Sequence, residues 1–233
     1  MRRGLLLALT VAVILSCAGG AAQAMVALDY IWAYQGDVAF FEEDGRIGLL
    51  SRSGYTLHAA EWDAVWPFYE GLAAVRTGGK WGFVDEAGSV VVEPGWDDAG
   101  FFADGLAAVQ RDGKWGYVDS RGNVAIEPQW DVAYLFSERL AMVARDGKYG
   151  FVDARGNVVV EPQWDFASGF SEGVAMVQKD GKWGFIDARG NVLSEPQWDS
   201  AAPFYEGLAW VSKDGASGYI GISGEPVCGV KLR

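Results

Sequence analysis

The chain repeats itself every 34 residues, and that period bounds its fold more tightly than any other property. Gly79-Lys80-Trp81-Gly82 returns as Gly113-Lys114-Trp115-Gly116, Gly147-Lys148-Tyr149-Gly150 and Gly181-Lys182-Trp183-Gly184. Degenerate copies stand one period outside, at Gly45-Arg46-Ile47-Gly48 and Gly215-Ala216-Ser217-Gly218, so one register runs through six units without an insertion. A unit this short cannot bury an apolar face by itself, whereas a stack of such units can.

Each unit reads as β-strands. In the third, Leu106 to Arg111 is a short apolar run, Asp112-Gly113 is a strong two-residue hairpin signal, and Lys114 to Asp119 returns with aromatic and β-branched residues. Asp119-Ser120-Arg121-Gly122 supplies the next turn, and Asn123 to Glu127 reads as a third strand stopped by Pro128. Gln129 to Phe136 shows no clear alternation and is expected to pack between units.

Leu106 and Ala108 point to one face of their strand while Ala107 and Val109 point to the other, so both faces are apolar and both need covering. Ala39, Ala73, Ala107, Ala141, Ala175 and Ala209 recur at one position, where a small side chain lets the adjacent unit come close. The glycine after each tryptophan is expected to leave room for a neighbouring ring. The predicted fold is all-β: tandem 34-residue three-stranded antiparallel meanders in an open solenoid-like array, with a closed propeller-like ring as the alternative. The degenerate first and last units favour the open form, as capping units.

The strings Gly-Leu-Ala-Ala-Val at 105–109, Gly-Lys-Trp-Gly-Tyr-Val-Asp at 113–119 and Glu-Pro-Gln-Trp-Asp at 127–131, followed by Phe136, resemble the bacterial WG-repeat family, and the resemblance runs from Asp29 to the C-terminus. It implies a β-rich repeat protein found at or near the bacterial envelope or attached to other modules, with no shared catalytic residues and mostly unknown ligands. Tyr149 in place of Trp, Ile47 and Ser217 in the end units, and Ala59-Ala60 where Glu-Pro is expected depart from the pattern.

The N-terminus has the order of a secretory signal: Arg2 and Arg3, an apolar run from Leu5 to Leu15, then small residues ending in Ala22-Gln23-Ala24. Cleavage after Ala24 is expected, leaving 25–233 as a single repeat domain of six units and an exported protein of the periplasm, cell envelope or extracellular space. Ile14-Leu15-Ser16-Cys17 partly matches a lipobox, so a lipoprotein signal ending before a lipidated Cys17 is the alternative. The apolar run is shorter than the roughly 20 residues a spanning helix needs. Cys228 then has no intrachain partner, and no disulfide framework is expected. The formal charge of −12, with basic residues spread through the repeats, argues against nucleic acid, which needs a concentrated cationic stripe.

Catalytic resources are few. His58 is the single histidine, read as a surface-loop residue, so neither a nucleophilic triad nor a multi-histidine metal site can be assembled. Asp85, Asp119, Asp153 and Asp187 open Asp-x-x-Gly turns, and Asp97, Asp131, Asp165 and Asp199 are expected to cap or turn the connections. A feature present in every unit belongs to the architecture, so no catalytic residue, cofactor or metal is expected. Two aromatic series remain: Trp81, Trp115, Tyr149 and Trp183 in strands, with Trp96, Trp130, Trp164 and Trp198 in connections. Periodic rings usually form inter-repeat core, and the functional alternative is a row of platforms for ligand contact. The expected function is a non-catalytic extracytoplasmic binding or scaffold protein offering its repeat surface to a protein partner. The alternative is a carbohydrate- or peptidoglycan-binding module that uses exposed tryptophans.

Overall fold

A computed structural model describes residues 30–227; the expected signal at 1–24, Cys17 and Cys228 lie outside the described residues. Every regular element described is a β-strand. The chain divides into two compact units, one running to Phe101 and the other starting at Phe102.

The first unit holds two four-stranded antiparallel sheets. One comprises Tyr30–Ile31, Val38–Glu43, Arg46–Ser51 and Thr56–Trp62, and the next Ala64–Val65, Leu72–Thr77, Lys80–Asp85 and Val90–Trp96. The division falls in the strand Asp98–Ala103; Leu106–Arg111, Lys114–Asp119 and Val124–Trp130 follow it. The fourth sheet is Val132–Ser137, Leu140–Arg145, Lys148–Asp153 and Val158–Trp164; the fifth is Phe166–Ala167, Val174–Lys179, Lys182–Asp187 and Val192–Trp198. The sixth has three strands, Ser200–Ala201, Leu208–Lys213 and Ala216–Gly221. Strand order follows chain order throughout.

The repeat is thus a meander with one more strand than the three expected. The connection supplies it: Val132–Ser137 leads into the fourth sheet by pairing with Leu140–Arg145. The central hairpins form as the Asp-Gly signals predict. Asp112 and Gly113 both hold positive φ, 52° and 75°, as a type I′ turn requires, and Leu106 pairs in register with Asp119.

Pro128 does not stop its strand. Val124–Trp130 runs through it, because the pairing carries a bulge there: Trp115 pairs with Trp130 and Tyr117 with Ile126, leaving extra residues on the outer strand. A bulge asks no ladder hydrogen bond of the proline nitrogen. The bulged backbone lies directly over the glycine of the Trp-Gly pair. A Cβ on Gly116 would stand 2.3 Å from the Ile126 carbonyl oxygen and 2.7 Å from the Pro128 nitrogen. The glycine therefore makes room for backbone, and not for a ring as expected. Gly48 in the divergent first repeat is the exception, where the Phe41 ring closes in as well.

Between repeats the two faces meet as the alternation predicts. Within the second unit, Leu106, Ala108 and Tyr117 of one repeat form one buried cluster with Phe136, Ala141, Val143 and Val152 of the next. The same pattern joins Leu140, Met142 and Phe151 to Phe170, Ala175, Val177 and Ile186, and Val174 and Phe185 to Phe204, Ala209, Val211 and Ile220. The recurring alanines 107, 141, 175 and 209 are wholly buried. Each sheet of this unit thus lies against its neighbour in chain order, the linear succession of a solenoid-like array. In the first unit Phe40, Leu49 and Trp62 meet Phe68, Ala73, Val75 and Val84 in the same way.

Two glycines of one repeat separate close approach from backbone strain. Gly150→Ala would place a Cβ 2.4 Å from the Val160 carbonyl oxygen; it should cost about 3 kcal/mol, the upper range for overpacking. Gly147→Ala, at φ 71° with nothing within 4 Å, should cost about 1 kcal/mol of left-handed strain. Urea unfolding of the two variants checks the order.

Candidate binding surface

The recurring aspartates are structural, and they divide into two kinds of work. In the turns, Asp119 Oδ1 accepts from the amides of Arg121 at 2.9 Å and Asn123 at 2.8 Å, and the Asn123 side-chain amide donates to Oδ2 at 2.9 Å. The Asn123 side chain leads in holding this carboxyl below its usual range, against the opposing effect of burial, with the Asn123 and Arg121 amides helping. Asp153 and Asp187 repeat the geometry with Asn157 and Asn191.

The aspartates after the second tryptophan do more than turn the connection: they join one repeat to the next. Lys114 donates its ammonium to Asp131 Oδ1, while Asp131 Oδ2 accepts the amide of Asp146, in the following repeat's hairpin turn, at 2.7 Å. Lys148, Asp165 and the Asp180 amide repeat the arrangement, as do Lys182, Asp199 and the Asp214 amide. In the first unit Arg46 takes the lysine's place opposite Asp63, and Lys80 pairs with Asp97. The lysine of Gly-Lys-Trp-Gly is therefore a connector. An exposed ion pair contributes little alone, but Asp63, Asp131, Asp165 and Asp199 each also fix a backbone amide of the adjoining turn.

A second ladder, made by acidic turn residues absent from the expected set, has the same effect. Glu172 accepts the Glu206 and Gly207 amides at 2.7 and 2.8 Å, Glu138 the Gly173 amide at 2.8 Å, and Asp104 the Arg139 amide at 3.0 Å. Their own positive φ, between 52° and 55°, turns each carboxylate toward the next repeat. The spacing of 35 residues was the available signal, one more than the period.

The two aromatic series part by burial. Trp96, Trp130, Trp164 and Trp198 are all at most 5% exposed. These four rings belong to the core and offer no ligand a face. Arg145 of the next repeat lies over the Trp130 ring, 4.2 Å from its centroid, a cation–π contact across the repeat boundary. Trp198 donates its indole N–H to Ser194 Oγ at 3.0 Å. His58 is also not in a loop. It sits on the strand Thr56–Trp62, half-buried, its ring stacked on Trp62 at 4.2 Å.

The strand series lies nearer the surface: Trp115, Tyr149 and Trp183 are half-buried, and Trp81 is buried beneath other rings. In the first unit Trp66 stacks parallel on Trp81, centroids 5.9 Å apart, and Phe101 stands edgewise to Trp66 and close to Tyr69. Trp66 is 42% and Tyr69 49% exposed, so this cluster shows rings to solvent. In the second unit Phe166, itself exposed, bridges Tyr149 and Trp183 at 5.5 and 5.7 Å. Tyr117 is the opposite case. Its hydroxyl is buried, donates to the Tyr134 carbonyl at 2.7 Å, and burial pushes its pKa well up. Among the described residues no three His, Cys, Asp or Glu side chains converge as a metal site, and no helix is long and apolar enough to cross a membrane.

Sheets of one plan, joined by recurring Lys–Asp and carboxylate–amide links with an aromatic flank, define a tandem β-repeat protein. The model of the WG containing repeat matches residues 59–81, 81–115, 115–149, 149–183 and 183–215, and the chain belongs to that family. No curated protein matches it. Among solved structures it is similar to a "eukaryotic initiation factor", with TM-score 0.52 and 13% identity, over 82% of this chain and 61% of that one. It thus spans under two thirds of that structure, and the likeness concerns the fold alone. Kluyveromyces lactis Hsv2p (TM-score 0.43, 9% identity, 82% of this chain and 74% of that one) and the C-terminal WD40 domain of Sif2 (0.38, 14%, 88% and 69%) are more distant.

The Lys–Asp links carry a pH signature. Hydrogen bonding from Lys148, then from the Asp180 amide, holds Asp165 below the usual carboxylate range, and Asp165 holds Lys148 above the usual ammonium range. A carboxylate lowered on folding stabilises above its unfolded value of about 4 and loses that contribution as pH falls through the lowered value. The raised ammonium contributes below about 10.4 and loses its share as pH rises through the higher folded value. Asp165→Asn should therefore melt below wild type at neutral pH and converge toward it in acid below about pH 4. Thermal melts followed by circular dichroism test this; a constant gap down to strong acid would contradict it.

Proposed function

We propose that this protein is a non-catalytic, extracytoplasmic binding or scaffold protein that receives a protein partner on the aromatic flank of its repeats. The observation that carries the reading is the cluster of Trp66, Tyr69 and Phe101 over Trp81: stacked, ordered and open to solvent on one side. Rigid rings with exposed faces supply contact area at little entropic cost, and Trp and Tyr lead among residues that dominate protein interfaces. The recurring acids that an enzyme would need are instead engaged in turns and repeat-to-repeat links, which supports a binding role. The extracytoplasmic location rests on the signal-like order of residues 1–24.

A carbohydrate or peptidoglycan ligand is the second reading, favoured by the free face of Trp66, which suits the apolar face of a sugar ring. One experiment separates the two. The exported chain and its Trp66→Ala/Tyr69→Ala variant are exposed to envelope extract and, separately, to purified insoluble peptidoglycan. The expected result is a discrete protein retained by wild type and reduced at least tenfold in the variant, with an unchanged circular dichroism spectrum. Retention on peptidoglycan alone supports the glycan. Equal retention by both chains in each arm overturns the aromatic flank as the site.

A further inference from the structure

The sixth repeat ends the second unit with a face that its predecessors bury. Leu106, Ala108 and Tyr117 are 7%, 4% and 0% exposed, covered by the next repeat, whereas their counterparts Leu208, Trp210 and Tyr219 are 38%, 37% and 46% exposed. The other face of the same sheet is fully engaged: Ala209, Val211 and Ile220 are buried against the fifth repeat. A repeat that merely caps an array needs a polar outer surface. This one carries the reverse, with Trp210 where the four repeats before it hold Ala or Met, and exposed Ile222 nearby. Contiguous exposed apolar rings on a sheet mark an interface.

The interface already built between repeats sets the kind of occupant: there this face meets the small-residue face of another sheet of the same plan, so a sheet of a second copy suits it. We infer that it is covered by the same face of a second copy of this chain, the sixth sheets meeting around a two-fold axis. A head-to-tail contact would call on the small-residue face of the first repeat, and that face is closed: Ala39, Phe41 and Leu50 are buried together at 3–6% exposure, with Phe41 where later repeats have Val. Trp210 favours self-pairing on shape as well. In the internal interfaces the corresponding Ala108 and Met142 are small or pliant, and Phe40 lies flat against Phe68 of the next repeat; the larger indole of Trp210 is 37% exposed. Two-fold pairing is also the commonest closed assembly, and it leaves neither copy's rings in water.

Sedimentation velocity on the chain at low and high micromolar concentration tests this. Wild type should sediment at twice the chain mass and dissociate on dilution. Trp210→Glu and, separately, the milder Leu208→Lys should be monomeric at all concentrations with wild-type circular dichroism. Hydrogen exchange of unaltered wild type gives a second readout: amides within 208–222 should gain protection as concentration rises. A wild-type monomer throughout overturns the inference, whether the face stays bare or is covered by the chain's own termini. So does a dimer that both variants leave intact, since its contact would lie elsewhere.

Discussion

Everything in this structure depends on one contact: the small-residue face of a repeat closing over the aromatic face of the repeat before it. A four-stranded sheet with two apolar faces has no stable state alone in water, and its burial requires neighbours on both sides. The alanines at 107, 141, 175 and 209 set how close that approach is, and Phe136, Phe170 and Phe204 seal it against Tyr117, Phe151 and Phe185, ring centroids 4.7–5.2 Å apart. The polar links matter because they orient this contact. Asp131 and Glu172 each bond backbone amides in the following repeat and so fix its rotation relative to the one that holds them.

The family motif takes on a physical meaning in this light. Its lysine joins repeats through an aspartate 17 residues on. Its glycine gives passage to a bulged backbone, and the proline of that bulge can stand in a strand because no ladder bond is asked of it. Its aromatic is the least enclosed member: Trp115, Tyr149 and Trp183 are only half-buried, though Trp81 is covered by neighbouring rings. The residues that vary between repeats, such as Trp66, Tyr69 and Phe166 around Trp81, Tyr149 and Trp183, dress this frame, and the proposed binding role rests on them.

Much of the frame was legible in the sequence. The Asp-Gly turns, the double-faced strands and the recurring alanines led to the hairpins and to repeat-on-repeat burial, because these are signals of local geometry and period. The lead strand was not legible: in four of the six sheets it is two residues long, as at Ala64–Val65 and Ser200–Ala201, too short to alternate, and in the longer Val132–Ser137 a register shift breaks the pairing. The closing strand was cut short at Pro128 because a bulge leaves no mark in a single strand's pattern. Residue type also could not separate the tryptophans. Trp130 and Trp115 pair across the sheet, yet one is sealed in the core and the other half open, a difference made by what the following repeat lays over each. The carboxylate links were hidden for the same reason, since their partners lie about half a period or a full period away.

The constant period allows a direct test of the central contact. Excision of residues 116–149 joins Trp115 to Gly150 and removes one 34-residue repeat while preserving every motif and the register. Equilibrium urea unfolding, followed by circular dichroism, compares the shortened and full chains. If stability resides in neighbour-on-neighbour burial, the shortened protein folds to the same β spectrum, with a lower midpoint and a smaller dependence on urea, as one sheet and one interface are lost. A shortened chain that fails to fold, or one that unfolds with unchanged midpoint and slope, would contradict the account.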